Sequence, residues 1–262
     1  MIPIFLLGLL GLGIGSFLNV VIYRLPRGLS VVWGRSFCPK CRRKIAWFDN
    51  VPLLSFAWLR GHCRYCHSPI SWRYPVVELL TGTLFVLGAT CLGNLSNLGY
   101  LGIAEVGLTW VLFSALIAIF FIDLEQQIIP DEILLPVIFL FLLSKIFVPH
   151  LTTHYLLLTT LLPAVGAALF LFLIRVVTRG RGMGLGDVKL AFLMGLVLGF
   201  PKIIIAFYLA FLTGAIVGVI LILVKKARFG QKIAFGPFLA AAIIITVLWG
   251  EKILSFSQKL FL

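Results

Sequence analysis

Residues 101–123 read LGIAEVGLTWVLFSALIAIFFID. From Val111 to Ile122 the stretch is almost wholly apolar, and it ends on a carboxylate, Asp123. Its length matches the ~20 residues that carry a helix across a bilayer. Its continuity excludes the alternating pattern of a membrane β-strand. Working outward, comparable runs recur at roughly 3–23, 75–93, 131–149, 155–177, 187–200, 202–224 and 236–250. The composition agrees: of 262 residues, 61% are hydrophobic and only 12% are charged. The charged share is about half that of a soluble domain, too little to cover a soluble core. The expected fold class is an all-α polytopic membrane protein with about eight transmembrane helices.

The charges decide orientation. The formal net charge is +13, and eighteen of the 22 Lys and Arg fall in three segments, 24–74, 175–189 and 225–232. Placing the N-terminus outside puts all three in the cytoplasm, as the positive-inside rule requires. The basic balance therefore reads as topology and contact with anionic lipid, not as nucleic-acid binding. The first run has no basic leading region and no Ala-x-Ala cleavage site, so it reads as a retained helix. Three parts follow: a first helix at 1–23, a polar cytoplasmic domain at 24–74, and a membrane core at 75–262.

Four of the five cysteines lie in the polar domain, as Cys38-Pro-Lys-Cys41 and Cys63-Arg-Tyr-Cys66, 21 residues apart. The flanks repeat as well: Ile45 and Trp47 follow the first pair as Ile70 and Trp72 follow the second. Two facing knuckles would offer four thiolates in a tetrahedron, the arrangement zinc prefers, with no position left for a reactive water. A domain of about fifty residues also needs such a staple to fold. The competing readings are two disulfides, disfavoured in a reducing cytoplasm, or free thiols. His62 and His67 flank the second pair as alternative ligands, and Cys91 reads as a packing residue.

Only nine residues are acidic. Asp123 closes one apolar helix, and Asp187 follows Gly182-Met-Gly-Leu-Gly186 and opens another. The topology puts both at the cytoplasmic membrane face. Ionisable groups in such surroundings are functional candidates by default. Two carboxylates held together share one proton, giving an acid and a base for hydrolysis of a peptide bond. Gly184 and Gly186 lack side chains, so an extended substrate backbone can approach them. With Lys189 they are the candidate substrate-binding residues. Blander readings stand beside these: Asp187 as the N-cap of its helix, Asp123 as an interface residue, and Asp131 and Glu132 as first-turn residues after Pro130. Glu78 caps the second helix or faces a polar cavity.

Several stretches together resemble one family, the type IV prepilin peptidases, which are Gly-x-Gly-Asp intramembrane aspartyl proteases. They are Gly15-Ser-Phe-Leu-Asn-Val-Val-Ile-Tyr-Arg-Leu-Pro26, both Cys-x-x-Cys pairs and Arg73-Tyr-Pro-Val-Val-Glu-Leu-Leu-Thr-Gly82. Asp123-Leu-Glu-Gln-Gln-Ile-Ile-Pro-Asp131, Gly184-Leu-Gly-Asp-Val-Lys189 and Phe235-Gly-Pro-Phe-Leu-Ala240 continue the match. The resemblance implies catalysis by Asp123 and Asp187. It implies prepilin and pseudopilin substrates, each a hydrophobic helix behind a basic leader, cut between Gly and a following residue that is usually Phe. It implies a bacterial inner-membrane location and methylation of the new N-terminus with S-adenosylmethionine. The residues themselves point to no methyl-donor pocket. Two alternatives stay open: a peptidase of the same chemistry acting on other membrane helices without methylation, and a transporter whose carboxylates carry protons.

Overall fold

The computed structural model describes residues 4–91, 100–146, 157–180, 182–225 and 234–261. Arg181, most of the basic segment 225–232 and the ends of several expected spans lie outside the described residues. The helices are α1 (Ile4–Arg24), α2 (Leu54–Trp58), α3 (Arg73–Cys91), α4 (Tyr100–Gln126), α5 (Asp131–Ile146), α6 (Leu162–Val177), α7 (Leu185–Leu198), α8 (Lys202–Leu223) and α9 (Gly236–Phe261). Short 3₁₀ turns lie at Leu25–Arg27 and Trp47–Asn50, and a π turn at Leu157–Leu161 leads into α6. Among the described residues the only β pairing is two isolated bridges.

Among the described residues six helical segments are long and apolar enough to cross a membrane: Ile4–Arg27, Arg73–Cys91, Gly102–Gln126, Leu158–Val177, Lys202–Leu223 and Gly236–Phe256. The two remaining expected spans are helical but shorter. The helix α5 has 16 described residues and α7 has 14. At 1.5 Å per residue, α7 reaches about 21 Å, short of a ~30 Å hydrocarbon layer. It is apolar for another reason: protein surrounds it, and Leu190, Ala191, Leu193 and Met194 are fully buried. A helix apolar all round can be covered by protein as well as by lipid. The outward faces of α6 and α8 instead expose Leu162, Val165, Leu169, Ile204, Ile216 and Ile220, as lipid-facing helices do.

The chain forms two compact units, Met1–Ala118 and Ile119–Leu262. In the first, α1 packs along α3. A Cβ at Gly11 would lie 2.7 Å from the Gly82 Cα, so only glycine permits that approach. Cys91 ends α3 exposed, so it does not pack in the core as expected. In the second unit α7 is central, touching α5, α6, α8 and α9.

Candidate active site

Asp123 stands in the last turn of α4. That helix stops at Gln127, whose φ of 56° turns the chain while its N–H bonds the Asp123 carbonyl at 2.9 Å. The carboxylate is buried, and its Oδ2 has no hydrogen-bond partner among the described residues. The start of α9 closes over it: a Cβ on Gly236 would come within 2.6 Å of Asp123 Oδ2 and 3.0 Å of Ile129 Cδ1. Glycine at 236 is therefore the residue that leaves the carboxylate room.

Asp187 is placed by local chemistry. The helix α6 ends as Arg179 and Gly180 take positive φ, and Arg175 donates from Nη1 to the Met183 carbonyl at 2.9 Å. The loop so held delivers Gly184 as the N-cap of α7. Asp187 is three residues further on, not at the cap itself, and its Oδ2 accepts the Gly184 N–H at 2.9 Å. This is the return half of a capping box. Asp187 is also buried, close enough to Asp123 that its charge acts there. One Asp187 oxygen thus serves the start of its own helix.

Ile129 joins the two halves. A Cβ on Gly186 would lie 2.8 Å from Ile129 Cβ, so packing against Ile129 requires glycine there. Gly184 differs, because its Cβ would meet only Asp187 Oδ2 at 3.3 Å and one backbone nitrogen at 3.8 Å. Lys189 is engaged by Asp131, with Nζ at 2.8 and 2.7 Å from the two carboxylate oxygens. That pair ties α5 to α7 at a half-exposed surface. Sequence reasoning gave no role to Gly236 or Ile129. The only signal was the Gly-Pro step opening the last helix.

The four cysteines converge as their spacing predicts. One Sγ from each lies within 4.8 Å of the others, and Cys38 and Cys66 are 3.9 Å apart. A tetrahedron with Zn–S of about 2.3 Å needs sulfurs about 3.8 Å apart. The donor set therefore fits a structural zinc ion. The repeat seen in sequence is a repeat in space. Cys38 N–H bonds the Arg43 carbonyl at 3.0 Å, and Cys63 N–H bonds the Ser68 carbonyl at 2.9 Å. Arg42 and His67 both take positive φ to close these turns. His62 and His67 stand outside the sulfur cluster. The Ser68 hydroxyl and then its backbone N–H lower the Cys66 thiol to about 6. Cys41 is held at about 11, where an Arg43 backbone hydrogen bond that lowers it is outweighed by desolvation and the neighbouring thiols. Zinc binding releases the protons such a cluster retains. Asp49 is the domain's one acid, and Arg64 grips it at 2.7 and 2.5 Å.

Two family models match the chain. The model of the bacterial peptidase A24 N-terminal domain matches residues 9–92, and that of the type IV leader peptidase family matches 110–219. A prepilin leader peptidase/N-methyltransferase of Aeromonas salmonicida strain A449 is 38% identical over 279 residues, covering 94% of this chain and 90% of that one. The protein of the same name from Pseudomonas aeruginosa is 34% identical over 94% of this chain and 90% of its own length. The one from Bacillus subtilis strain 168 is 35% identical over 98% of both. No solved structure matches the chain.

Proposed function

The chain belongs to the type IV leader peptidase family, and from that premise we propose that it removes the basic leader of prepilins and pseudopilins and then methylates the exposed N-terminus. The observation that carries the peptidase half is the pair of buried acids, one of them with a free oxygen, at the meeting of three helix ends. Asp123 and Asp187 hold a single proton between them. The ionised member takes a proton from water as the oxygen attacks the scissile carbonyl carbon. The protonated member gives its proton to the departing amine nitrogen as the C–N bond breaks.

The loop edge at Gly184 is the proposed contact for the extended substrate. The contribution of Lys189 runs through Asp131 and the α5–α7 junction. As a multi-pass membrane protein the chain has its N-terminus in the periplasm and its acid pair at the cytoplasmic face, where a substrate keeps its charged leader. The cation distribution supports that orientation. The zinc site holds the two knuckles of the cytoplasmic domain together. S-adenosylmethionine supplies the methyl group when bound.

The test is cleavage of a synthetic prepilin by purified protein. Asp123→Asn and Asp187→Asn each lower leader removal by at least roughly 10²-fold, the scale of lost acid–base catalysis, while the proteins still insert. Normal processing by both variants overturns the reading. A panel of leader-bearing substrates separates prepilins from other membrane helices.

A further inference from the structure

The acid pair accounts for cleavage and leaves methyl transfer unplaced. That reaction needs somewhere to hold an amine. The first unit contains a polar seam that cleavage does not use. Along α1, Ser16 and Asn19 face α3 at Tyr74 and Glu78. Asn19 Nδ2 donates to the Tyr74 carbonyl at 3.1 Å, and the Ser16 side chain lies near the Glu78 carboxylate. Glu78 is 7% exposed and Asn19 is 2% exposed. No cation pairs with Glu78 among the described residues. Asn19 Oδ1 is buried without a hydrogen-bond partner among the described residues.

The polar domain contributes to the same seam. Leu53 takes φ 59° and ψ −46°, and Leu54 N–H bonds the Pro52 carbonyl at 2.6 Å. This is the rare, strained form of the γ-turn. It aims the Leu53 N–H at Glu78 Oε2, 2.8 Å away. A mere clamp between two helices would need neither a charged group nor a strained backbone. What the seam offers is acceptors: the second Glu78 oxygen, the Asn19 Oδ1 and the Ser16 oxygen. An ammonium group carries three N–H donors and one positive charge, which is the complement of that set.

We propose that Glu78, Ser16 and Asn19 form the acceptor site of methyl transfer, holding the α-ammonium of a peptide whose N-terminus cleavage has just freed. The inference rests on the proposed function for the reaction itself. Glu78 takes one proton from the ammonium. The nitrogen lone pair then forms a bond to the methyl carbon of the sulfonium donor, and the electron pair of the broken C–S bond stays on sulfur. Products are an N-methylammonium, a thioether and a protonated Glu78, which returns its proton to water.

The test uses the full-length protein in detergent with a prepilin peptide. Glu78→Gln keeps an acceptor for the Leu53 N–H and loses the charge. Its expected phenotype is near-normal cleavage with methylation, read by product mass, lowered roughly 10²-fold or more. A second readout needs no turnover. Wild type binds the processed peptide with a free α-amine about tenfold or more tighter than its N-acetylated form, as expected for a charge-assisted contact, and Glu78→Gln loses that preference. Normal methylation by Glu78→Gln overturns the proposal, as does an equal loss of cleavage and methylation. Should the variant not fold, the wild-type comparison decides alone: equal affinity for both peptides overturns the proposal. A wild type that cleaves without ever methylating removes the methyl-transfer half of the proposed function too, while the acid pair still stands.

Discussion

Cys38, Cys41, Cys63 and Cys66 are brought together by two copies of one local turn, whereas Asp123 and Asp187 stand at helix ends that pack around Ile129. The first assembly is specified within a few residues of each ligand, and a metal then fixes the two halves to each other. The second depends on contacts more than fifty residues apart in the chain. Its precision comes from the absence of side chains at Gly186 and Gly236, where a single methyl group would meet Ile129 or the carboxylate itself. The knuckles should therefore tolerate changes in packing and fail when a ligand is lost. The acid pair should fail on a change of packing as readily as on the loss of either carboxylate.

Three substitutions press on that contrast, in falling order of effect on cleavage. Gly236→Ala places a Cβ 2.6 Å from Asp123 Oδ2, so the helix start or the carboxylate must move. A shift of this kind costs roughly 10²-fold in rate. Leader cleavage by the variant should fall that far with its zinc content unchanged, as kinetics and metal analysis on one preparation would establish. Cys63→Ser should show the opposite pattern. Metal per chain drops from about one to below about half, since three thiolates close a structural site poorly. The thermal midpoint falls, and cleavage falls less than in Gly236→Ala. Full metal occupancy in Cys63→Ser would break the contrast from the other side. Lys189→Met removes a half-exposed ion pair with Asp131, and such pairs contribute about 0–1 kcal/mol. Its cleavage rate should stay within about fivefold of wild type, the factor equivalent to 1 kcal/mol. A larger loss would assign Lys189 a direct part in substrate binding.

The same contrast explains what was legible in the sequence. The zinc site could be read outright, because its spacing and its repeat are local, and Arg42 and His67 only close turns that the cysteine pairs had announced. The aspartates stood out because apolar neighbours make a carboxylate conspicuous. Topology alone sends both to one membrane face, but the packing of their helix ends runs through Ile129 and Gly236, to which residue-level reading assigns no role. The glycine at 186 reads in sequence as room for substrate, and only the fold shows that Ile129 also needs that room. The run 187–200 reads as a membrane span because twelve or so apolar residues look alike whether lipid or protein covers them. Asp131 was read as a helix-start residue, and it is one, but its engagement of Lys189 required the fold.

The central claim is that Asp123 and Asp187 work as one unit through a common proton. The most direct measurement is the rate of prepilin cleavage by Asp123→Asn, Asp187→Asn and the double variant, each checked for intact folding. Groups that act together are non-additive. Each single variant should be about as inactive as the double. Losses that multiply in the double variant, or either single variant cleaving at nearly the wild-type rate, would contradict the claim.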